Sequence, residues 1–168
     1  MSYKHAVIMC GGSGTRLGPI TYTSNKHLLP IYDKPMIFYS LTNLFLIGIR
    51  KVTLICNPND IDLFKKLFSR LEILGVKLNY IIQKNPGGIA EGLVLFQNYN
   101  EAEDVVLALG DNLFFGNSLK EDLKPLLYSE KSGIVLCPVS RPELYGILHF
   151  DTKKNLFSII EKPKKFVS

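Results

Sequence analysis

Apolar residues in this chain fall into two kinds of run, and the two kinds alternate. Short unbroken runs rich in β-branched residues, "HAVIMC" (5–10), "KVTLIC" (51–56), "VKLNYIIQ" (76–83), "DVVLALGD" (104–111) and "GIVLCPV" (133–139), predict strands buried on both faces. Between them lie longer stretches with apolar positions three and four apart, the helical spacing. "PMIFYSLTNLFLIGI" predicts a helix with Ile37, Leu41, Leu44, Phe45 and Gly48 on one face and Pro35 suited to its first turn. "NDIDLFKKLFSRLEILG" predicts a second. Its stripe is Ile61, Phe64, Leu67, Phe68, Leu71 and Leu74, its wet face Lys65, Lys66 and Arg70, and its stop Gly75. "GIAEGLVLFQNY" predicts a third after the turn "KNPGG", and "SLKEDLKPLLYSEK" a fourth in which Pro125 predicts a kink or break. The last two runs, "YGILHFD" and "LFSIIEKP", are joined by "TKKN" with no helix between them, which predicts an antiparallel pair.

Alternation of this kind predicts an α/β fold: a Rossmann-like three-layer α/β/α domain over residues 1–168, with a mostly parallel sheet and an antiparallel strand pair near the C-terminus. In such sheets ligands sit beyond the carboxyl ends of the strands. "GGSGTR", "QKNPGG" and "GDN" fall there, after the first, third and fourth strands.

Composition narrows the class. With 168 residues, 46% hydrophobic and 21% charged, the chain can bury one real core, which excludes disorder. No apolar run approaches the ~18 residues that span a bilayer, and the N-terminus lacks a cleavable leader pattern; a cytoplasmic protein with no membrane partner is the expectation. Cys10, Cys56 and Cys137 sit in strand-like runs without C-x-x-C spacing, so buried inert thiols are expected rather than a metal or redox site. The net charge of +5 is concentrated at the end, where Lys153, Lys154, Lys162, Lys164 and Lys165 face only Asp151 and Glu161. A basic stripe interleaved with aromatics is missing, so no nucleic-acid partner is expected; a small phosphorylated ligand suits the charge better.

The chemistry begins at "CGGSGTRLGPI" (10–20). The dinucleotide fingerprint G-x-G-x-x-G fails, since counting from Gly12 puts its last glycine at Leu17, and the P-loop fails because no Gly-Lys pair follows. Yet Gly11, Gly12 and Gly14 permit positive φ and close approach, so successive N–H groups can face an anion, and Arg16 adds a forked permanent charge. An ordinary turn with an exposed arginine is the competing reading. Lys26 and Lys34 each alone read first as solvated cations; the Gly turn shifts Lys26 toward a phosphate ligand, while Lys34 stays mostly structural. Asp111, after a buried strand and Gly110, is placed to hold Mg²⁺ or else to cap a turn. Gly146 marks a close approach, while Glu161 and Lys162, adjacent at a strand end, could both reach a ligand or form a surface ion pair.

Together "GGSGTRLGPIT", "NKHLLPIYDKPMI", "LGDNLFFG", "YGILHFD" and "IIEKPKK", in this order from Val7 to Lys165, closely resemble the sugar-nucleotide pyrophosphorylases, most closely their thymidylyl-transferring branch. The resemblance implies that dTTP and glucose 1-phosphate are joined to give dTDP-glucose and pyrophosphate, with Mg²⁺ as cofactor and no covalent intermediate. Gly11, Gly12, Ser13, Gly14 and Thr15 would wrap the triphosphate. Arg16 and Lys26 would bind its leaving portion, Gln83 and Gly88 would read the thymine edge, and Asp111 would bind the metal. Asn112, Gly146 and Glu161 would bind sugar hydroxyls and Lys162 the sugar phosphate; Arg16, Lys26, Asp111 and Lys162 form the implied catalytic set. Two departures stand out. His27 replaces a common glutamine, and "QKNPGGIAEG" varies the base-binding loop. Members of the family continue well past "EKPKKFVS" to a further strand, a second metal-binding aspartate and most of the oligomer surface. Turnover impaired by truncation is therefore expected, homo-oligomerisation stays open, and a non-catalytic nucleotide or sugar-phosphate binding module or a uridylyl-type relative are the alternatives.

Overall fold

Parity along the first strand divides the core in two. In a computed structural model that describes residues 5–12, 14–85, 87–99, 104–129, 131–151 and 156–163, β1 (His5–Met9) is buried along its whole length. After it come a two-residue pair, β2 (Pro30–Ile31) and β3 (Lys34–Pro35), then α1 (Ile37–Leu46), β4 (Lys51–Cys56), α2 (Ile61–Phe68), β5 (Lys77–Ile82), α3 (Gly88–Tyr99), β6 (Val105–Leu109), α4 (Leu119–Leu127), β7 (Gly146–Phe150) and β8 (Leu156–Glu161). Ala6, Ile8 and Cys10 pack with Val52, Leu54 and Cys56 of β4 against α1, α2 and Leu127 of α4. Val7 and Met9 pack with Ile55 and Ile81 against Phe96 of α3. The expected three layers follow directly from side chains that alternate along the strands.

Four strands form one parallel sheet in the order β5-β4-β1-β6. From β1 the chain steps outward through β4 to β5, then returns through α3 to lay β6 on the far side of β1. Its direction of winding reverses there, so the space beyond the carboxyl ends of β1 and β6 is the topological switch point where such sheets take ligands. By contacts the chain forms two compact units, Met1–Ser132 and Gly133–Ser168. The second contains the antiparallel hairpin β7–β8, in which Gly146 pairs with Glu161, as the helix-free connection predicts; the connecting residues 152–155 lie outside the described residues.

The structure departs from expectation at five places, each for a local reason. Pro35 lies in β3 and not in the first turn of α1, because residues 30–31 offer it a strand partner. The second helix stops at Phe68; Leu71–Leu74 continues as a tighter turn that leaves Ile73 and Leu74 exposed, outside the predicted stripe. α4 runs through Pro125 to Leu127 without the break that was one of the two expectations there, since the proline is exposed and water can take the carbonyl it leaves unbonded. Residues 133–139 form no strand, and Ile134, Val135 and Leu136 are exposed; a β-branched run becomes a strand only beside a ladder partner, and among the described residues none adjoins it. Cys137 in that run is consequently exposed, unlike the buried Cys10 and Cys56. No helix among the described residues is long and apolar enough to cross a membrane.

Candidate functional site

The ladders of the parallel sheet each run one residue past the strand ends. Cys10 N–H donates to Ile55 O at 2.8 Å, Gln83 N–H to Cys56 O at 2.9 Å and Gly110 N–H to Met9 O at 3.0 Å. The next residues along β1 and β6, Gly11 and Asp111, are therefore delivered to the switch point by rigid backbone. Gly12 and Gly14 take φ of 100° and 61°, the region the sequence reserved for glycine. The Thr21 hydroxyl donates to Gly14 O at 2.8 Å and pins the turn, and Thr15–Leu17 follows as a 3₁₀ turn. Ser13 and the side chain of Arg16 lie outside the described residues.

Lys26 and Asp111 meet in an ion pair across this end of the sheet. Partial burial opposes the carboxylate's charge, but the hydrogen bond and charge of Lys26 outweigh it and hold the Asp111 carboxyl below its ordinary range. Asn25 sets the lysine in place. It caps the short turn Lys26–Leu28, its carbonyl accepting from His27 N–H at 2.9 Å and standing 2.7 Å from His27 Nδ1, while its amide donates to Cys10 O at 3.1 Å and Asp60 Oδ2 at 2.7 Å. His27 is fully buried. Burial first, and then the charge of Lys26, depress its pKa to about 4, against the weaker opposing pull of Asp111 and Asp60. The ring lies on Gly110: a Cβ at that position would meet His27 Cδ2 at 2.7 Å and Met9 O at 3.1 Å, so only glycine lets the strand end pass.

Gln83 and Gly88 are brought together as expected, though they bond to each other. Gln83 Nε2 donates to Gly88 O at 3.0 Å and to Glu91 at 2.5 Å, and Glu91 also accepts from Gly87 N–H at 2.9 Å. The free end of the amide, Oε1, faces Gly11, where a Cβ would stand 3.4 Å away. Asn112 is exposed just beyond Asp111, and Ser40 of α1 steadies this loop by donating to Leu109 O at 3.1 Å and Asn112 O at 3.3 Å. Sequence reasoning missed Asn25, Asn57, Asp60, Ser40 and Glu91. Asn25 before a short turn and Glu91 in the first turn of α3 carry capping signals; the others meet only through the fold.

In the second unit Gly146, Glu161 and Lys162 form their own group. A Cβ at Gly146 would stand 3.1 Å from Glu161 Oε2, so its absence makes room for the carboxylate. Lys162 adopts a left-handed φ of 46°, held by its N–H donating to Tyr145 O at 2.9 Å, and its Nζ lies 3.4 Å from Glu161 Oε1. A non-glycine residue in that conformation costs about 1–2 kcal/mol. Both side chains are more than half exposed, so the pair contributes little stability and both groups are available to a ligand.

Asp111 is the residue here suited to a hard cation: ionised, partly exposed and at the switch point. Among the described residues no cluster of three or more His, Cys, Asp or Glu side chains could cage a metal. A single carboxylate is compatible with Mg²⁺, which is commonly held by one or two carboxylates with phosphate and water completing its shell.

Residues 5–168 match a family model described as nucleotidyl transferase. The chain is similar to the glucose-1-phosphate thymidylyltransferase of Mycobacterium tuberculosis, 42% identical over 157 residues that cover 94% of this chain and 54% of the relative. It is likewise similar to the Neisseria gonorrhoeae protein of the same name, 40% identical over 160 residues, covering 95% and 56%. The chain thus spans about half the length of the curated relatives it matches. A structure of a Bacillus anthracis protein in complex with a sucrose superposes with a TM-score of 0.86 at 30% identity, covering 98% of this chain and 66% of that one. A UDP-glucose pyrophosphorylase complexed with UDP-glucose shares the fold at a TM-score of 0.75 and 20% identity.

Proposed function

This chain belongs to the nucleotidyl transferase family, and from that premise we propose that it joins dTTP to glucose 1-phosphate, giving dTDP-glucose and pyrophosphate. The observation that carries the reading is the Lys26–Asp111 pair at the switch point, beside a glycine turn held at positive φ. One cation and one carboxylate meeting there suit a triphosphate that arrives with a divalent ion. The names of the relatives favour thymidine over uridine and glucose 1-phosphate as the acceptor.

In the reaction an oxygen of the sugar phosphate bonds to the α-phosphorus while the bond from that phosphorus to the α–β bridging oxygen breaks, and the electron pair leaves on pyrophosphate. The protein's part is to position and neutralise. The turn Gly11–Thr15 seats the phosphate chain by its backbone N–H groups. Lys26 and Arg16 take up negative charge on the leaving group. Gln83 and Gly88 border the base, where Gln83 Oε1 is the atom left to accept from it. Asn112, Gly146 and Glu161 serve the sugar hydroxyls, and Lys162, more than half exposed, serves the sugar phosphate. Asp111 would hold Mg²⁺, which when bound supplies charge neutralisation at the phosphates.

Pyrophosphate release from dTTP, glucose 1-phosphate and Mg²⁺ tests the assignment, with UTP and CTP in parallel. Release that is fastest with dTTP is expected. Binding of dTTP by calorimetry without any release would instead assign a non-catalytic nucleotide-binding module. Arg16→Ala should weaken dTTP about tenfold, a charge-assisted contact of about 1.5 kcal/mol, and leave thymidine unchanged; equal losses for both ligands would remove Arg16 from the phosphate seat.

A further inference from the structure

Two side-chain amides and a carboxylate link the glycine turn to the loop that carries Lys26. Asn57, just past β4, grips Gly12 from both sides, its Oδ1 accepting from Gly12 N–H and its Nδ2 donating to Gly12 O, both at 3.4 Å. The same Nδ2 donates to Asp60 Oδ2 at 2.9 Å, and that oxygen also accepts from Asn25 Nδ2 at 2.7 Å. Asn25, the residue before Lys26, in turn bonds Cys10 O and His27. A single carboxylate oxygen therefore joins the turn after β1 to the loop that carries Lys26. Among the described residues no cation pairs with Asp60, although it is partly buried. A carboxylate so near the proposed phosphate seat would repel the ligand directly, so what Asp60 offers there is what it holds in place. The Asn25 amide uses both donors and accepts at its oxygen, so its orientation is fixed and the link has no slack.

We propose that Asp60 is a positioning residue for the triphosphate: through Asn57 and Asn25 it sets the spacing between the Gly12 turn and Lys26, so that both engage one phosphate chain. The proposal rests on the nucleotidyl-transfer reading above. It assigns Asp60 no contact with ligand and a role that is geometric rather than electrostatic. A neutral residue of the same shape should serve as well, because the asparagine carbonyl oxygen can accept both bonds.

The test compares dTTP, inorganic tripolyphosphate and thymidine binding, with Mg²⁺, to the wild-type chain and to Asp60→Ala, Asp60→Asn, Asn57→Ala and the double variant Asn57→Ala/Asp60→Ala. Asp60→Ala should weaken dTTP and tripolyphosphate about tenfold and thymidine less than twofold, and Asp60→Asn should restore binding to within threefold of wild type. Asn57→Ala should reproduce most of the loss, and the double variant should lose no more than Asp60→Ala alone, since both act through one route. Parallel loss of thymidine and dTTP, or independent additive losses, would overturn the positioning role while leaving the nucleotide reading intact. Wild-type protein that binds neither dTTP nor tripolyphosphate would overturn the reading itself, and the proposal with it.

Discussion

Asp111→Asn is expected to slow pyrophosphate release by two to three orders of magnitude while shifting the unfolding midpoint little. The two effects separate because the carboxylate does different things in the two processes. In the folded chain it forms an ion pair with Lys26 in which both side chains retain solvent contact, 23% and 34% exposed. Such a pair is worth about 1 kcal/mol or less once water screens it, and the asparagine oxygen still accepts from the lysine. In the reaction the same carboxylate is the anchor proposed for Mg²⁺, and loss of a fixed electrostatic partner at the phosphates costs about 3–4 kcal/mol of barrier, or 10²–10³ in rate. Lys26 also occupies Asp111 without ligand, so the ion must compete with it, and the wild-type rate should climb steeply with Mg²⁺. The variant should show a weaker dependence, in dTTP affinity as well as in rate. A rate within tenfold of wild type at saturating Mg²⁺ would falsify the metal role of Asp111.

The parallel sheet was legible because its evidence is local. Val7, Ile8, Val52, Leu54 and Ile55 lie in unbroken runs that only a doubly buried strand explains, and the turn after each run marks a ligand-facing end. The glycine turn was legible for the same reason: Gly12 and Gly14 adopt the positive φ for which glycine is the permissive residue. What stayed hidden depends on meetings across the fold. Nothing in "NPND" says that Asn57 reaches Gly12, or that Asp60 shares its oxygen with Asn25 from another loop. Residues 133–139 show the converse: their composition is that of a strand, but strand formation is decided by a neighbouring edge, about which a run of seven residues carries no information. Likewise the amphipathic stripe of the second helix could not reveal that its last turn tightens and turns Leu74 outward.

The burial of His27 has a consequence measurable without substrate. The ring is fully buried between Asn25 and Gly110, and its pKa falls from 6.5 to about 4 through burial and the nearby Lys26 charge. The depressed value fixes the sign. Between these two values the unfolded chain binds a proton that the folded chain refuses, so acid favours unfolding; the contribution of neutral His27 is whole above about pH 6.5 and is lost as pH falls through about 4. The loss from this one group amounts to about 2 kcal/mol between pH 7 and pH 5, and about 3 kcal/mol by pH 4. His27→Gln keeps a donor for the Asn25 oxygen and titrates nothing, so it should lack this slope while sharing the slope from every other titrating group. Urea midpoints of both proteins at pH 7 and pH 5 isolate the difference: the wild type should lose about 2 kcal/mol more than the variant. Equal losses would mean that acid reaches the ring without unfolding the chain, and that the Asn25–His27 contact, and with it the seat of Lys26, yields to protonation in the native state.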